Sequence, residues 1–197
     1  INLETSLEAA EAERQRSIIL VVGVSFLLLS ALLFFARKRY MNSLAYDPVT
    51  SLLNSKTAIN KIRQVAAPSA GRTNALALFD LGNFRDVNRQ VGASKSDVAL
   101  QQIAKTLSQI TRQRDILGRF APEQFIVCLI DIEEDSAKSF FERIRYALEN
   151  TAIGEQQSRQ VSVRSSMSIY IASDTFDDLD EILDDMQFSL GLQTETA

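Results

Sequence analysis

Near its start the chain carries twenty consecutive residues without a charge, SIILVVGVSFLLLSALLFFA at 17–36, and no other feature restricts the fold so tightly. As a helix rising about 1.5 Å per residue, the run is about 30 Å long, the thickness of bilayer hydrocarbon. It predicts a transmembrane helix. A buried core helix and a cleaved signal peptide fit it less well: the run exceeds the apolar core of a signal peptide, and no A-x-A cleavage site accompanies it. Arg37, Lys38 and Arg39 follow at once, whereas Glu4, Glu8, Glu11 and Glu13 accompany Arg14 and Arg16 on the other side. The basic bias places the C-terminal side in the cytoplasm. The chain is expected to cross the membrane once.

The flanks continue the helical pattern. Residues 1–16 are rich in helix formers, with Leu3, Leu7 and Ala10 spaced for one face, and predict an extracytoplasmic juxtamembrane helix. Because the chain opens on Ile1, it is expected to be a piece of a longer protein with a sensor part further upstream. Residues 37–46 predict a helical linker ending at Asp47-Pro48, since proline disfavours helix at the residue before it.

The remaining 150 or so residues are enough for one domain. A formal charge of −4 leaves no basic footprint for nucleic acid. With no histidine and one cysteine, Cys128 in the apolar run FIVCLI, any catalysis must use carboxylates, and any metal must be a hard ion such as magnesium. Cys128 itself reads as a buried, inert thiol.

Periodicity predicts helix at 57–66, a loop at 68–74, and a buried strand ALALF before Asp80. A long amphipathic helix over 95–112 follows, with Val98, Leu100, Ile103, Leu107 and Ile110 inward. Two strands flank a turn at 121–124, then come a helix at 136–149, a strand within 161–172 and an acidic helix at 179–190. This β-α-β-β-α-β order predicts an α+β domain with helices on a mixed sheet. It also places Asp80 and Glu123 at one sheet end, where two acids could hold magnesium for phosphoryl transfer. Taken bare, acids at strand ends are a weak signal. The R-x-x-D of Arg112 and Asp115 is weaker still, because it reads equally well as a solvated helix end with an i,i+3 ion pair.

Longer motifs go further. Asp47-Pro48-Val49-Thr50-Ser51-Leu52-Leu53-Asn54 is similar to the D-x-L-T-G-L-x-N opening of the GGDEF family, the diguanylate cyclases, keeping Asp47, Thr50, Leu52 and Asn54. The segment FDLGNFRDVNRQVGASKSDVAL resembles that family's D-x-D-x-F-K-x-I-N-D-x-x-G-H-x-x-G-D-x-x-L, and the likeness covers about residues 46–192. The resemblance implies a GGDEF or nucleotidyl-cyclase-like palm domain, a central mixed and mostly antiparallel sheet flanked by helices, over 47–197. It puts Asp80 in the place of the first metal-binding aspartate, Asn88 and Asp97 in those of the guanine-reading pair, and Arg85 in that of a phosphate-facing lysine. Arg112 and Asp115 fall in register with the family's inhibitory site for cyclic di-GMP, and Arg143 matches an additional arginine of that site.

The departures fall on the catalytic parts. The signature turn is Ala121, Pro122, Glu123, Gln124 and Phe125 in place of Gly-Gly-Asp/Glu-Glu-Phe. Ala121 adds a Cβ and Pro122 removes an N–H that could face phosphate; Gln124 replaces an acid by a neutral amide. Gly82 stands for a second aspartate, Ala93 for histidine, Ser96 for glycine, Leu192 for a phosphate-binding lysine and Tyr170 for the glycine of a strand motif. Such a domain, carried by a bacterial inner membrane, is expected to be catalytically degenerate, to form a homodimer, and to act as a cyclic di-GMP or GTP receptor or as an interaction and dimerisation module. The alternatives are a weak cyclase using Asp80, Glu123 and magnesium, and a nucleotide-independent module regulating a phosphodiesterase or another signalling partner.

Overall fold

The computed structural model describes residues 3–43, 45–150 and 163–195. They form two units, divided after Leu44. The first is a single helix, α1 (Leu3–Ser43), of 41 residues. Its stretch Arg14–Arg37, 24 residues long, is apolar enough to cross a membrane by length and composition. The apolar side chains of that stretch are exposed, Phe26 by 70% and Leu27 by 69%.

The second unit is built on one sheet. In chain order it contains β1 (Leu53–Asn54), α2 (Ser55–Ile62), β2 (Thr73–Leu81), α3 (Phe84–Val91), α4 (Ala93–Ile110), β3 (Ile116–Ala121), β4 (Gln124–Ile132), α5 (Glu134–Glu149), β5 (Ser165–Ala172) and α6 (Leu179–Glu195). The strands lie in the order β1-β3-β4-β2-β5, with β1 parallel to β3 and every other pairing antiparallel. This is the α+β architecture with a mixed sheet that the strand order predicts, mostly antiparallel as the resemblance implies.

Side-chain alternation along the central strands divides the core in two. Ala75, Ala77, Phe79 and Leu81 of β2 and Phe125, Val127 and Leu129 of β4 pack with α4 and α5. Leu76 and Leu78, with Ile126 and Cys128, face the other way onto α2 and α6. Both strands are buried on two faces, which is why they read as continuous apolar runs.

The sequence-derived boundaries shift in places. Helix α2 starts at Ser55 because the Asn54 side chain accepts from the Thr57 N–H at 2.9 Å, capping it, and it stops at Ile62. Helix α4 ends at Ile110, where Thr111 turns extended, so Arg112 lies in the following turn. Val98 does not point inward; it is 58% exposed. The face against the sheet is made by Ser96, Ala99, Leu100, Ile103, Ala104 and Leu107, and Val98 sits two residues, about 200° of helix, from Leu100. Small residues let α4 approach closely there. Periodicity did not reveal α3 or β1. Gly92, at φ +84°, separates α3 from α4 in a conformation that glycine adopts freely.

Candidate functional site

The turn between β3 and β4 is two residues long, with Ala121 and Gln124 paired across it. In the sheet Gln124 stands opposite Asp80, which stands opposite Ser166, so these three side chains share a face. The Gln124 Nε2 amide donates to Asp80 Oδ2 at 2.6 Å. Glu123 lies beside the same strand end, its carbonyl accepting from the Leu81 N–H at 3.0 Å. Its carboxylate faces the Arg85 guanidinium at 3.7 Å. The sheet therefore brings Asp80 and Glu123 to one end, and each already has a partner from the chain itself.

A further pair braces this tip. Arg119 reaches Asp47 Oδ1 at 3.0 Å and the Pro122 carbonyl at 2.7 Å. The pair is largely enclosed, with the two side chains 13% and 17% exposed. Asp47 also accepts from the Thr50 N–H at 2.8 Å and the Thr50 hydroxyl at 2.7 Å. Burial by itself would raise the Asp47 pKa, but the Thr50 donors and the Arg119 charge outweigh it and hold the carboxyl below its ordinary value. The motif residues Asp47 and Thr50 thus form a turn and anchor the hairpin. Ser51, where the resembling motif carries glycine, takes φ +58°. Sequence reasoning left Arg119 unassigned. Its place in a strand beside the altered turn was the available signal, but only the fold shows that Asp47, 72 positions away, meets it.

At the other end of the hairpin, the turn after α4 is tied by Asp115. Its carboxylate accepts from the Arg112 N–H at 3.0 Å and the Ile130 N–H at 3.2 Å, while the Asp115 N–H donates to the Arg112 carbonyl at 3.0 Å. The side chains of Arg112 and Asp115 form no ion pair; the aspartate is a backbone lock, and the exposed Arg112 guanidinium extends without an ion-pair partner among the described residues. Nearby, Ile110, Phe140, Arg143 and Tyr146 line a cavity of about 520 Å³. Arg143 lies 5.8 Å over the Phe140 ring, a cation–π placement, and makes no ion pair among the described residues. Its neighbour Arg145 is held by Glu142 at 2.8 Å and Glu149 at 2.9 Å.

Asn88 and Asp97 are exposed on α3 and α4, two helices that pack together, with Phe84 and Val87 anchoring α3 in the core. Cys128 is fully buried, and burial, with a smaller contribution from Asp115, pushes its thiol up to about 12, where it is inert.

A five-stranded mixed sheet with helices on both faces, a short hairpin turn beside an inner strand with an aspartate next to its end, and arginines at the hairpin's far end define a nucleotide-cyclase-like palm domain. Residues 44–190 match the family model "Diguanylate cyclase, GGDEF domain", and the chain belongs to that family. It is 26% identical over 136 residues to a probable diguanylate cyclase, DgcT, of Escherichia coli, covering 68% of this chain and 30% of that protein. It is also 26% identical over 141 residues to an uncharacterized membrane protein of Staphylococcus saprophyticus, covering 70% and 40%. The chain thus spans about a third of the length of the curated relatives it matches. Among solved structures, the GGDEF domain of DgcB from Caulobacter crescentus, in complex with c-di-GMP, superposes with a TM-score of 0.67 at 15% identity, covering 78% of this chain and 91% of that one.

The family implies magnesium between the strand-end acids. The donors here do not fit it. Asp80 is engaged by an amide whose own Oε1 is buried without a partner among the described residues, and Glu123 faces a guanidinium. Among the described residues no three acids converge. Beside the two carboxylates the described residues bring one neutral amide, Gln124, and one cation, Arg85, and no third anionic oxygen.

Proposed function

We propose that this chain is part of a membrane-anchored, single-pass cyclic di-GMP signalling protein whose GGDEF domain receives nucleotide and does not synthesise it. The observation that carries this reading is the contrast in available charge. Asp80 and Glu123 are occupied by Gln124 and Arg85, whereas Arg112 and Arg143 offer two guanidinium groups to an anion. A cyclic dinucleotide presents two phosphates and guanine edges, and the planar fork of arginine suits both. Phe140 and Tyr146 supply aromatic faces beside Arg143. The apolar stretch in α1 and the likeness to a membrane protein support the anchoring, with residues 37–46 joining the anchor to a cytoplasmic domain from 47 onward. Asn88 and Asp97 would retain guanine contacts at most, since Leu192 and Pro122 offer triphosphate nothing.

Calorimetric titration of the full chain with cyclic di-GMP tests the proposal. Binding in the micromolar range that weakens at least tenfold, about 1.4 kcal/mol, in Arg112→Ala supports it. No heat at tens of micromolar, or equal binding by that variant, overturns it. Cyclic di-GMP formation from GTP and magnesium, abolished by Asp80→Ala, would establish the enzymatic alternative instead.

A further inference from the structure

Among the described residues the sheet ends at β5, which pairs there only with β2. Its register runs without a break from Asn74 opposite Ala172 to Leu81 opposite Ser165. The eight residues, SSMSIYIA, contain no charge, proline or glycine. Proteins ordinarily blunt a long regular edge with such residues or with a bulge, because its outer N–H and C=O groups invite another strand. Neither device is present in β5, although the outer Met167 carbonyl accepts from the Gln193 side-chain amide of α6 at 3.4 Å, a long bond that an added strand would replace.

Beside this edge runs a groove of about 510 Å³ between β5 and α6. Its apolar walls include Tyr170, Ile182 and Met186, and Asp177, Asp178, Glu181 and Asp185 also line it. Asp177 accepts from the Thr175 hydroxyl at 2.5 Å; the other three carboxylates have no cationic partner among the described residues. Tyr170, 39% exposed and 6.4 Å from the Phe176 ring, stands where the family's strand motif has glycine. The opposite face of β5 is different: Met167, Ile169 and Ile171 pack partly buried against the core that α4 and α5 cover.

From these features we infer that β5 and the α6 groove form a docking site for an extended segment of a partner protein, added to the sheet as a sixth strand. The two faces dictate the segment's pattern. Side chains directed toward α6 meet an apolar floor with an acidic rim, which suits a Lys or Arg stem with its charge at the rim. Side chains directed the other way continue the row of Met167, Ile169 and Ile171 and are apolar. The segment therefore alternates basic and apolar residues, with backbone bonds supplying affinity and alternate side chains supplying specificity. A second copy of this chain is a poor occupant, because symmetric pairing of two β5 edges would set the two acidic rims against each other.

A fluorescein-labelled ten-residue peptide alternating Lys and Val, titrated against the full chain in detergent micelles and read by anisotropy, is the probe. The expected result is saturable binding at tens to hundreds of micromolar. It should weaken at least tenfold in Asp178→Lys/Glu181→Lys, with β5 amides gaining protection from hydrogen exchange. Methylating alternate peptide amides should abolish binding in one register and spare it in the other. Binding undetectable at about 1 mM, equal binding of a Glu-Val peptide, or indifference to amide methylation overturns the inference. Concentration-dependent self-association strengthened by Glu181→Lys would assign the edge to a second copy instead and also overturn it. The groove lies on the opposite face of the sheet from α5, so the charge-reversed variant should titrate with cyclic di-GMP unchanged, and failure of either proposal leaves the other intact.

Discussion

The two ends of the β3–β4 hairpin hold similar residue types in opposite electrostatic states. At the tip, Asp80, Glu123, Arg85, Asp47 and Arg119 all have partners within the chain. At the base, one carboxylate is used on backbone N–H groups, and two arginines extend toward solvent and a cavity. The difference lies in which charges the fold itself compensates, and the proposed receptor role rests on those it leaves uncompensated. At the tip the charged groups are paired among themselves. A base that holds its backbone with Asp115 keeps Arg112 available.

The largest perturbation should remove the distinction altogether. Phe125, fully buried in the core beside Phe79, anchors both ends, and Phe125→Ala should cost about 3–5 kcal/mol. Urea denaturation should show the midpoint falling, and cyclic di-GMP binding should be lost along with the fold. A variant that binds normally with little loss of stability would mean that the base does not depend on the hairpin core.

Breaking only the tip is a finer test. Arg119→Ala leaves Asp47 partly buried without its cation and should cost about 1–3 kcal/mol, while nucleotide titration at the base changes by less than about twofold. Asp47→Asn gives the pH signature. Because the folded-state pKa lies below the unfolded value of about 3.9, the stabilisation is fully present above that value and is lost as pH falls through the lower folded pKa. Wild type and Asp47→Asn should therefore differ in thermal midpoint at pH 7 and converge toward pH 2. A constant difference would show that the carboxylate charge is not what holds the turn.

Arg112→Ala is the reciprocal experiment. Its exposed side chain should contribute under about 0.5 kcal/mol to unfolding, yet its removal should weaken cyclic di-GMP at least tenfold. If stability falls and affinity does not, the base is scaffold and the contrast between the ends disappears. The smallest effect lies at Ser51, whose φ of +58° strains a residue with a Cβ. Ser51→Gly should relieve it and stabilise the domain by about 0.5–1 kcal/mol, read as a rise in thermal midpoint without change in binding.

Much of this fold was legible because its signals are local. Apolar runs in β2 and β4 reflect burial on both faces, the uncharged stretch in α1 needs only length and composition, and Asn54 caps its own helix. The short β1 and α3 escaped because two residues carry no periodicity and because α3 is polar except at a few anchors such as Phe84 and Val87. Val98 was misplaced because an apolar residue on a helix does not by itself reveal which face meets the sheet; Ser96, Ala99 and Ala104 do, through the close approach they permit.

The candidate site divides along the same line. The sequence by itself determined the residue types: a turn with proline and an amide where glycine and an acid are usual, an R-x-x-D upstream, a tyrosine in β5, and a strand without charges. Whether those groups are free or occupied was decided only by tertiary structure. Gln124 meets Asp80 44 positions away, Arg119 meets Asp47 at 72, and β5 lies outermost among the described strands, beside β2. Compensation of charge and pairing of strands depend on distance in space, and for residues this far apart that distance is set by the packing of the whole sheet.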